Sequence, residues 1–376
     1  MKKQSDTGFH IGIWGWLGAL LPALIATGLY FISGSSRAFS DWYALNLYPL
    51  WVGSVGRLFG FFPFSVNELG IYILITLGLF WLVRDITRLI RRRCRPHWWK
   101  RWLWTLCAFG GAMWLVFMLG CGINYNRTNF AEANGMPLAG GTSEELYFLC
   151  EILTEEANQR QDAVQRDEKG IMQLTSDISA ESVKAMRKLA ADYPSLGGFY
   201  PQPKPVFFSE FMSHENISGM HSPFTSEAQY NRLITPYNIP HTVCHELSHL
   251  KGYMREDEAN FVAFLACINS DSPEFNYSGY VLAYIYATNA LYGASQEKFG
   301  KVRGKISPVI ENDMAENSRY WDQYKTVIAE VKEKMNDSYL KFNRQEDGVK
   351  SYGRIVDLML SYYHEEIQNR IKGLNR

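Results

Sequence analysis

The stretch "PHTVCHELSHLKGYMREDEANFVAF", residues 240–264, decides how this chain is read. His245 and His249 stand four apart, so on a helix they share one face, one turn apart. Two imidazoles at that spacing reach a single cation. Zn²⁺ is the first choice, because nitrogen ligands and tetrahedral geometry suit it. Glu246 follows the first histidine, where its carboxylate can take a proton from a metal-bound water. Pro240 suits a first helical turn, where its missing N–H costs nothing, and Gly252 suits the residue just past the end. The rival reading is an exposed charged patch on an ordinary helix. Thr242, Val243, Leu247 and Leu250 give this helix an apolar surface to bury, and an inward histidine pair plus glutamate would be costly there without a metal or partners.

The third ligand lies downstream. Gly252 completes the pattern HExxHxxG. In metzincins a third histidine follows three residues after that glycine, but here the position is Arg255, which cannot ligate a cation. Glu256 comes next and Glu258 two residues later, both at the start of a second predicted helix, "REDEANFVAFLAC". The run "EDEAN" is similar to the E-x-x-A-[DN] pattern of several gluzincin families. That resemblance implies Glu256 as the ligand, Ala259 as a small packing residue and Asn260 as a group orienting a ligand. Glu258 is the alternative. Apart from any metal, acids in a first helical turn also suit the helix dipole. His241, one turn before His245, is read as a helix-start or supporting residue.

Working outward, the chain divides by composition. Residues 1–123 are rich in Leu, Trp, Phe and Gly, whereas 124–376 carry the mixed charge of a soluble domain. Three stretches approach the roughly 20 apolar residues that a membrane helix needs: residues 11–33, 66–83 and 102–123. The first is long for a signal peptide, and "SGSSRAFS" makes a weak cleavage site. Basic residues favour the cytoplasmic side, and "RDITRLIRRRCRPHWWKR", residues 84–101, is read as a basic loop on that side. The amino terminus, with Lys2 and Lys3, then lies on the same side, and the carboxyl-terminal domain is extracytoplasmic. Between the first two spans, the aromatic residues 41–65 suit an interfacial helix, a re-entrant piece or a loop packed on the spans. The 38 basic and 38 acidic residues cancel, so no basic excess points to nucleic acid.

In the outer domain, Thr142 with Glu145 three residues on is a capping-box pattern opening a helix. "SAESVKAMRKLAADYP" predicts another. "KPVFFSEFMS", "ENISGMHSPFT" and "AQYNRLIT" are short β-favouring pieces, so a small sheet is expected, with "AQYNRLI" as the strand bordering the cleft. From Pro240 onward the chain reads as mostly helical. The expected class is therefore α+β, mostly helical: a three-span anchor followed by a zincin-like domain. The six cysteines follow neither a disulfide framework nor a Cys-rich metal spacing, and Cys244 and Cys267 are the pair to watch. Met220 and His221 are candidates to line the cleft. Tyr280, Tyr352 and Arg354 are candidates to donate to a transition state.

The whole arrangement resembles the bacterial membrane family catalogued as domain of unknown function 3810. The resemblance rests on the amino-terminal spans, "PFS" at 63–65, "SPFT" at 222–225, HEL-x-H-x-x-G and "EDEANF". It covers most of the chain and implies a peptidase-like site without naming a substrate. The expectation is a membrane-anchored zinc peptidase in which His245, His249 and Glu256 hold Zn²⁺ and Glu246 is the general base. Its rivals are a non-cleaving zinc-bearing sensor and a scaffold, neither of which needs the Glu246 carboxylate.

Overall fold

The computed structural model describes residues 12–91, 98–136, 141–325, 338, 342–343 and 354–374. Lys2, Lys3, Cys94 and Tyr352 lie outside the described residues.

The fold is mostly helical, and three of its helices are long and apolar enough to cross a membrane. These are α1 (Ile13–Ser35), α4 (Val66–Ile90) and α5 (Trp98–Gly120). The first and third shift by a few residues from the expected spans. The second departs more: α4 continues through Arg84, Asp85 and Arg88 to Ile90, so the first part of the expected basic loop is helix. Asp85 accepts from Arg84 Nε at 2.7 Å and pairs with Arg88 at 3.6 Å, which lets charged residues extend the helix beyond the apolar run.

Between the first two spans, residues 37–60 form α2 (Arg37–Asn46) and α3 (Tyr48–Gly60). Both helices are tied to residues on the carboxyl-terminal side of α5. Asp41 accepts from the Thr128 backbone and hydroxyl, both at 2.7 Å. Buried Tyr48 donates its hydroxyl to the His249 carbonyl at 3.1 Å. The segment between the spans is thus built into the domain that carries the motif.

After the short α6 (Phe130–Ala133), that domain begins with α7 (Ser143–Arg160), opened by the expected Thr142–Glu145 capping box, and α8 (Ile178–Leu189). The short α9 (Ser209–His214) stands between the strands β1 (Lys204–Pro205) and β2 (Gly219–Ser222), and β3 (Glu227–Tyr230) follows. The sheet order is β1-β3-β2, with β3 parallel to β1 and antiparallel to β2. This corrects one expectation: "AQYNRLI" supplies the central strand, and β2 is the edge beside the motif helix. The pairing of β1 with β3 joins segments far apart in sequence, which local pattern does not reveal.

The motif helix α10 (Asn238–His249) and α11 (Glu256–Ile268) pack together, with α12 (Pro273–Ala294) against both. Two helices, α13 (Gln296–Arg303) and α14 (Pro308–Asp322), come next, and α15 (Ile355–Tyr362) and α16 (His364–Leu374) close the described chain. Phe261, Phe264, Phe275, Tyr277 and Tyr284, all fully buried, fill the centre of this helical layer. A site built on α10 and α11 therefore rests on a fully buried layer of the described residues.

Candidate metal centre

Pro240 lies in the first turn of α10, which opens two residues before it at Asn238. The chain leaves α10 after His249 and reverses at Gly252, whose φ of +82° favours glycine. A Cβ there would also lie 3.0 Å from Arg127 Nη1. The reversal has two effects. It returns the Tyr253 carbonyl to His249, whose Nδ1 meets it at 2.8 Å. It also starts α11 so that Glu256 faces the histidines.

The three side chains converge. His245 Nε2 and His249 Nε2 are 3.0 Å apart, and Glu256 Oε2 lies 3.2 Å from the first and 3.9 Å from the second. Together they form a group that could hold a metal ion. The remaining ring nitrogens set the chemistry. A backbone carbonyl can only accept, so His249 carries its proton on Nδ1. His245 Nδ1 is 2.8 Å from Asn260 Oδ1 and donates in the same way. Both Nε2 lone pairs then point at each other and at a carboxylate oxygen: three acceptors gathered with no donor among them. A cation satisfies that arrangement. Without a metal, a proton takes its part. Burial lowers the affinity of His245 for a proton, but the Glu256 carboxylate outweighs it and raises the pKa; burial and a charged His245 push His249 down.

Glu246 is buried beside the cluster. Burial pushes its pKa up to about 8, with Glu256 adding to the rise, while His245 and the His221 backbone N–H oppose it. A cation in the cluster would bring it back down. Gly219 on β2 makes room for this carboxylate, since a Cβ there would lie 2.5 Å from Glu246 Oε1 and 2.7 Å from Thr242 Cγ2.

The other sequence candidates sort cleanly. Glu258 is turned away, 3.4 Å from Arg255 Nε, and burial followed by the charge of Asp257 raises its pKa to about 8. His241 Nε2 is 3.2 Å from the Asn260 carbonyl and stays outside the cluster. Tyr280 packs on Phe264 and under the Arg160 guanidinium, and Arg354 stands at the start of α15 near Asp357; neither faces the histidines. Cys244 and Cys267 do meet, as fully buried free thiols in hydrogen-bond contact.

Two groups gain standing. The His221 ring lies 5.3 Å from the His249 ring, and its buried Nε2 has no hydrogen-bond partner. Burial, then the two neighbouring histidines, lower its pKa well below the ordinary value, so it is neutral. Tyr286 on α12, which sequence reasoning missed, has its ring 6.5 Å from that of His241, and burial, then the Glu256 charge, raise its pKa to about 12. It sits about one and a half helical turns beyond Tyr280, and among 22 tyrosines only the fold singles it out.

No curated protein and no solved structure matches the chain. A family model does match, over residues 43–360, from within α2 to α15, and it takes in α3, the second and third spans, the sheet and the whole cluster. The chain belongs to the family described as protein of unknown function DUF3810.

Proposed function

We propose that this protein is a membrane-anchored, zinc-dependent peptidase whose site faces the cell exterior. The observation that carries this reading is the convergence of His245 Nε2, His249 Nε2 and Glu256 Oε2 beside a buried glutamate. Zinc–nitrogen bonds of about 2.0–2.1 Å place tetrahedral donors about 3.3 Å apart, and the three donors stand 3.0, 3.2 and 3.9 Å apart. Zinc bound there supplies a Lewis acid that polarises a carbonyl. Glu246 takes a proton from the attacking water, the water oxygen bonds to the peptide carbon, and the C–N bond breaks as Glu246 returns the proton to the leaving amine. His221 and Tyr286 are the groups we assign to the substrate's oxygen. The outward orientation rests on Arg84 and Arg88 lying at the far end of α4 from the domain, since basic residues favour the cytoplasmic side.

Glu246→Gln tests the reading. The variant keeps size and polarity but removes the carboxylate, so the protein should retain one zinc per chain while hydrolysis falls by about 10²–10⁴-fold. The measurement is elemental analysis of the purified protein, together with a survey of new peptide termini in cells expressing each form. Zinc present but termini unchanged between the forms identifies a non-cleaving sensor or scaffold.

A further inference from the structure

Two runs of phenylalanine flank the start of α4. Phe61, Phe62 and Phe64 precede it, and Phe207, Phe208 and Phe211 follow β1. They belong to distant parts of the sequence, yet both runs stay exposed: Phe61 by 85%, Phe207 by 69% and Phe211 by 66%. Their neighbours tie them to one place. Glu68, in the first turn of α4, accepts from the backbone N–H groups of Phe207 and Phe208, each at 2.9 Å. The Phe208 ring meets Tyr72, one turn further down, with centroids 5.6 Å apart. On the other side, Lys204 donates to the Phe59 carbonyl at 2.8 Å, which fixes the first run.

Below this level α4 is almost bare of protein, as a helix in lipid would be. Its apolar run, residues 66–83, is about 27 Å long at about 1.5 Å per residue, close to the roughly 30 Å of a hydrocarbon core. The run therefore leaves no slack, and the bilayer surface must lie near Val66. Phe64 stands two residues before Val66, and Glu68 holds Phe207 and Phe208 at the same level. Phenylalanine on the apolar face of a membrane-surface segment buries about 5–10 Å into the boundary between headgroups and acyl chains. Glu210, the one charge within either run, has a carboxylate that headgroup water can hydrate.

We propose that these six phenylalanines form a collar inserted in the face of the same bilayer that α4 crosses. The partner surface is lipid, continuous with the span itself. The collar holds the candidate site close to the headgroups. Ser222, at the far end of β2, donates to Asn67 in the first turn of α4 at 2.9 Å, and Gly219, at the near end, packs on Glu246. One four-residue strand, about 10 Å long at about 3.3 Å per residue, links the proposed base to the membrane boundary. This height matters for chemistry only if the peptidase reading holds; the collar itself does not depend on it.

Nitroxide labels at F207C and F211C, and at Glu297→Cys as a water-exposed control, test the collar in full-length protein in phosphatidylcholine–phosphatidylglycerol nanodiscs. Cys94 and Cys107 are first changed to Ser. Power saturation with oxygen and with a water-soluble nickel chelate reads the surroundings of each label. Higher oxygen than nickel accessibility at 207 and 211, with the reverse at 297, is the expected result. Nickel accessibility at 207 and 211 equal to that at 297 overturns the collar. Spin–spin broadening between labels in discs holding two copies, absent from discs holding one, would replace lipid by a second copy of this chain. Loss of zinc or of hydrolysis would leave these readings unchanged and would count only against the peptidase.

Discussion

At the residue scale, the candidate site depends on which atom each side chain has left to offer. The Tyr253 carbonyl and the Asn260 amide oxygen occupy both Nδ1 atoms, so only Nε2 remains to each histidine. Glu256 completes the group and Glu258 does not. Glu256→Gln should therefore weaken zinc binding by about 10-fold or more, while Glu258→Gln leaves it within a few fold, as measured by competition with a chromogenic chelator. The reverse order would remove Glu256 from the ligand set. Gly219 offers a sharper check on Glu246. A methyl group at 219 would lie 2.5 Å from the carboxylate, so Gly219→Ala should displace the base and cut hydrolysis by about 10²-fold, with zinc content preserved. Much of this was legible in the sequence. The pairing of His245, Glu246 and His249 follows from helical spacing, whereas Glu256 is preferred to Glu258 only through the resemblance of "EDEAN" to the gluzincin pattern. His221 was legible only as a residue that could line the cleft, because strand pairing brings it to the cluster, and Tyr286 was not singled out at all, because only the packing of α12 places it.

At the scale of elements, local signals held where local physics decides. Thr142 and Glu145 form their capping box, and Gly252 turns with positive φ, as their side chains require. The strand order did not follow, because β3 gains its second neighbour from a segment more than twenty residues away. The same distance hides the clamp at the head of α12. Glu274 is buried and accepts from the Thr175 backbone at 2.7 Å, from the Thr175 hydroxyl at 2.6 Å and from the Ser176 hydroxyl. Burial alone would raise its pKa, but these donors outweigh it and hold the carboxyl below the ordinary 4.5. A depressed carboxyl contributes stability that is full above its unfolded value and is lost as pH falls through the folded one. Glu274→Gln should thus cost about 2 kcal/mol at pH 7. The gap to wild type should close as pH drops below that ordinary value of 4.5, in urea unfolding of the detergent-solubilised protein. A gap that stays constant with pH would show that the carboxylate charge plays no part.

At the scale of the whole molecule, the spans do more than tether. Glu227 accepts from the backbone N–H groups of Val66 and Asn67 at 3.0 and 2.8 Å, and Lys204 pairs with it at 2.6 Å. The sheet is thereby seated on the first turn of α4. A site fixed at that height should cut extended polypeptide close to where it leaves the bilayer. Glu246-dependent termini should fall within about five residues of the predicted ends of membrane spans or lipid-modified residues, given about 3.3 Å per extended residue. Termini scattered through water-soluble domains would contradict this placement. The three spans themselves were plain from length and composition. The domain's hold on them was not, because Glu227, Lys204 and Glu68 look like ordinary surface charges until the chain is folded.

The hydrogen bond from Tyr48 to the His249 carbonyl joins positions 201 residues apart, with two spans between them. During synthesis Tyr48 emerges first and waits until both later helices, each long and apolar enough to cross a bilayer, and then the motif have emerged in turn. The end of the motif helix gains its last support only then. Under the proposed reading of a membrane-anchored zinc protein, metal loading should accordingly come after insertion is complete, and a chain stalled in the translocation machinery should carry no finished site.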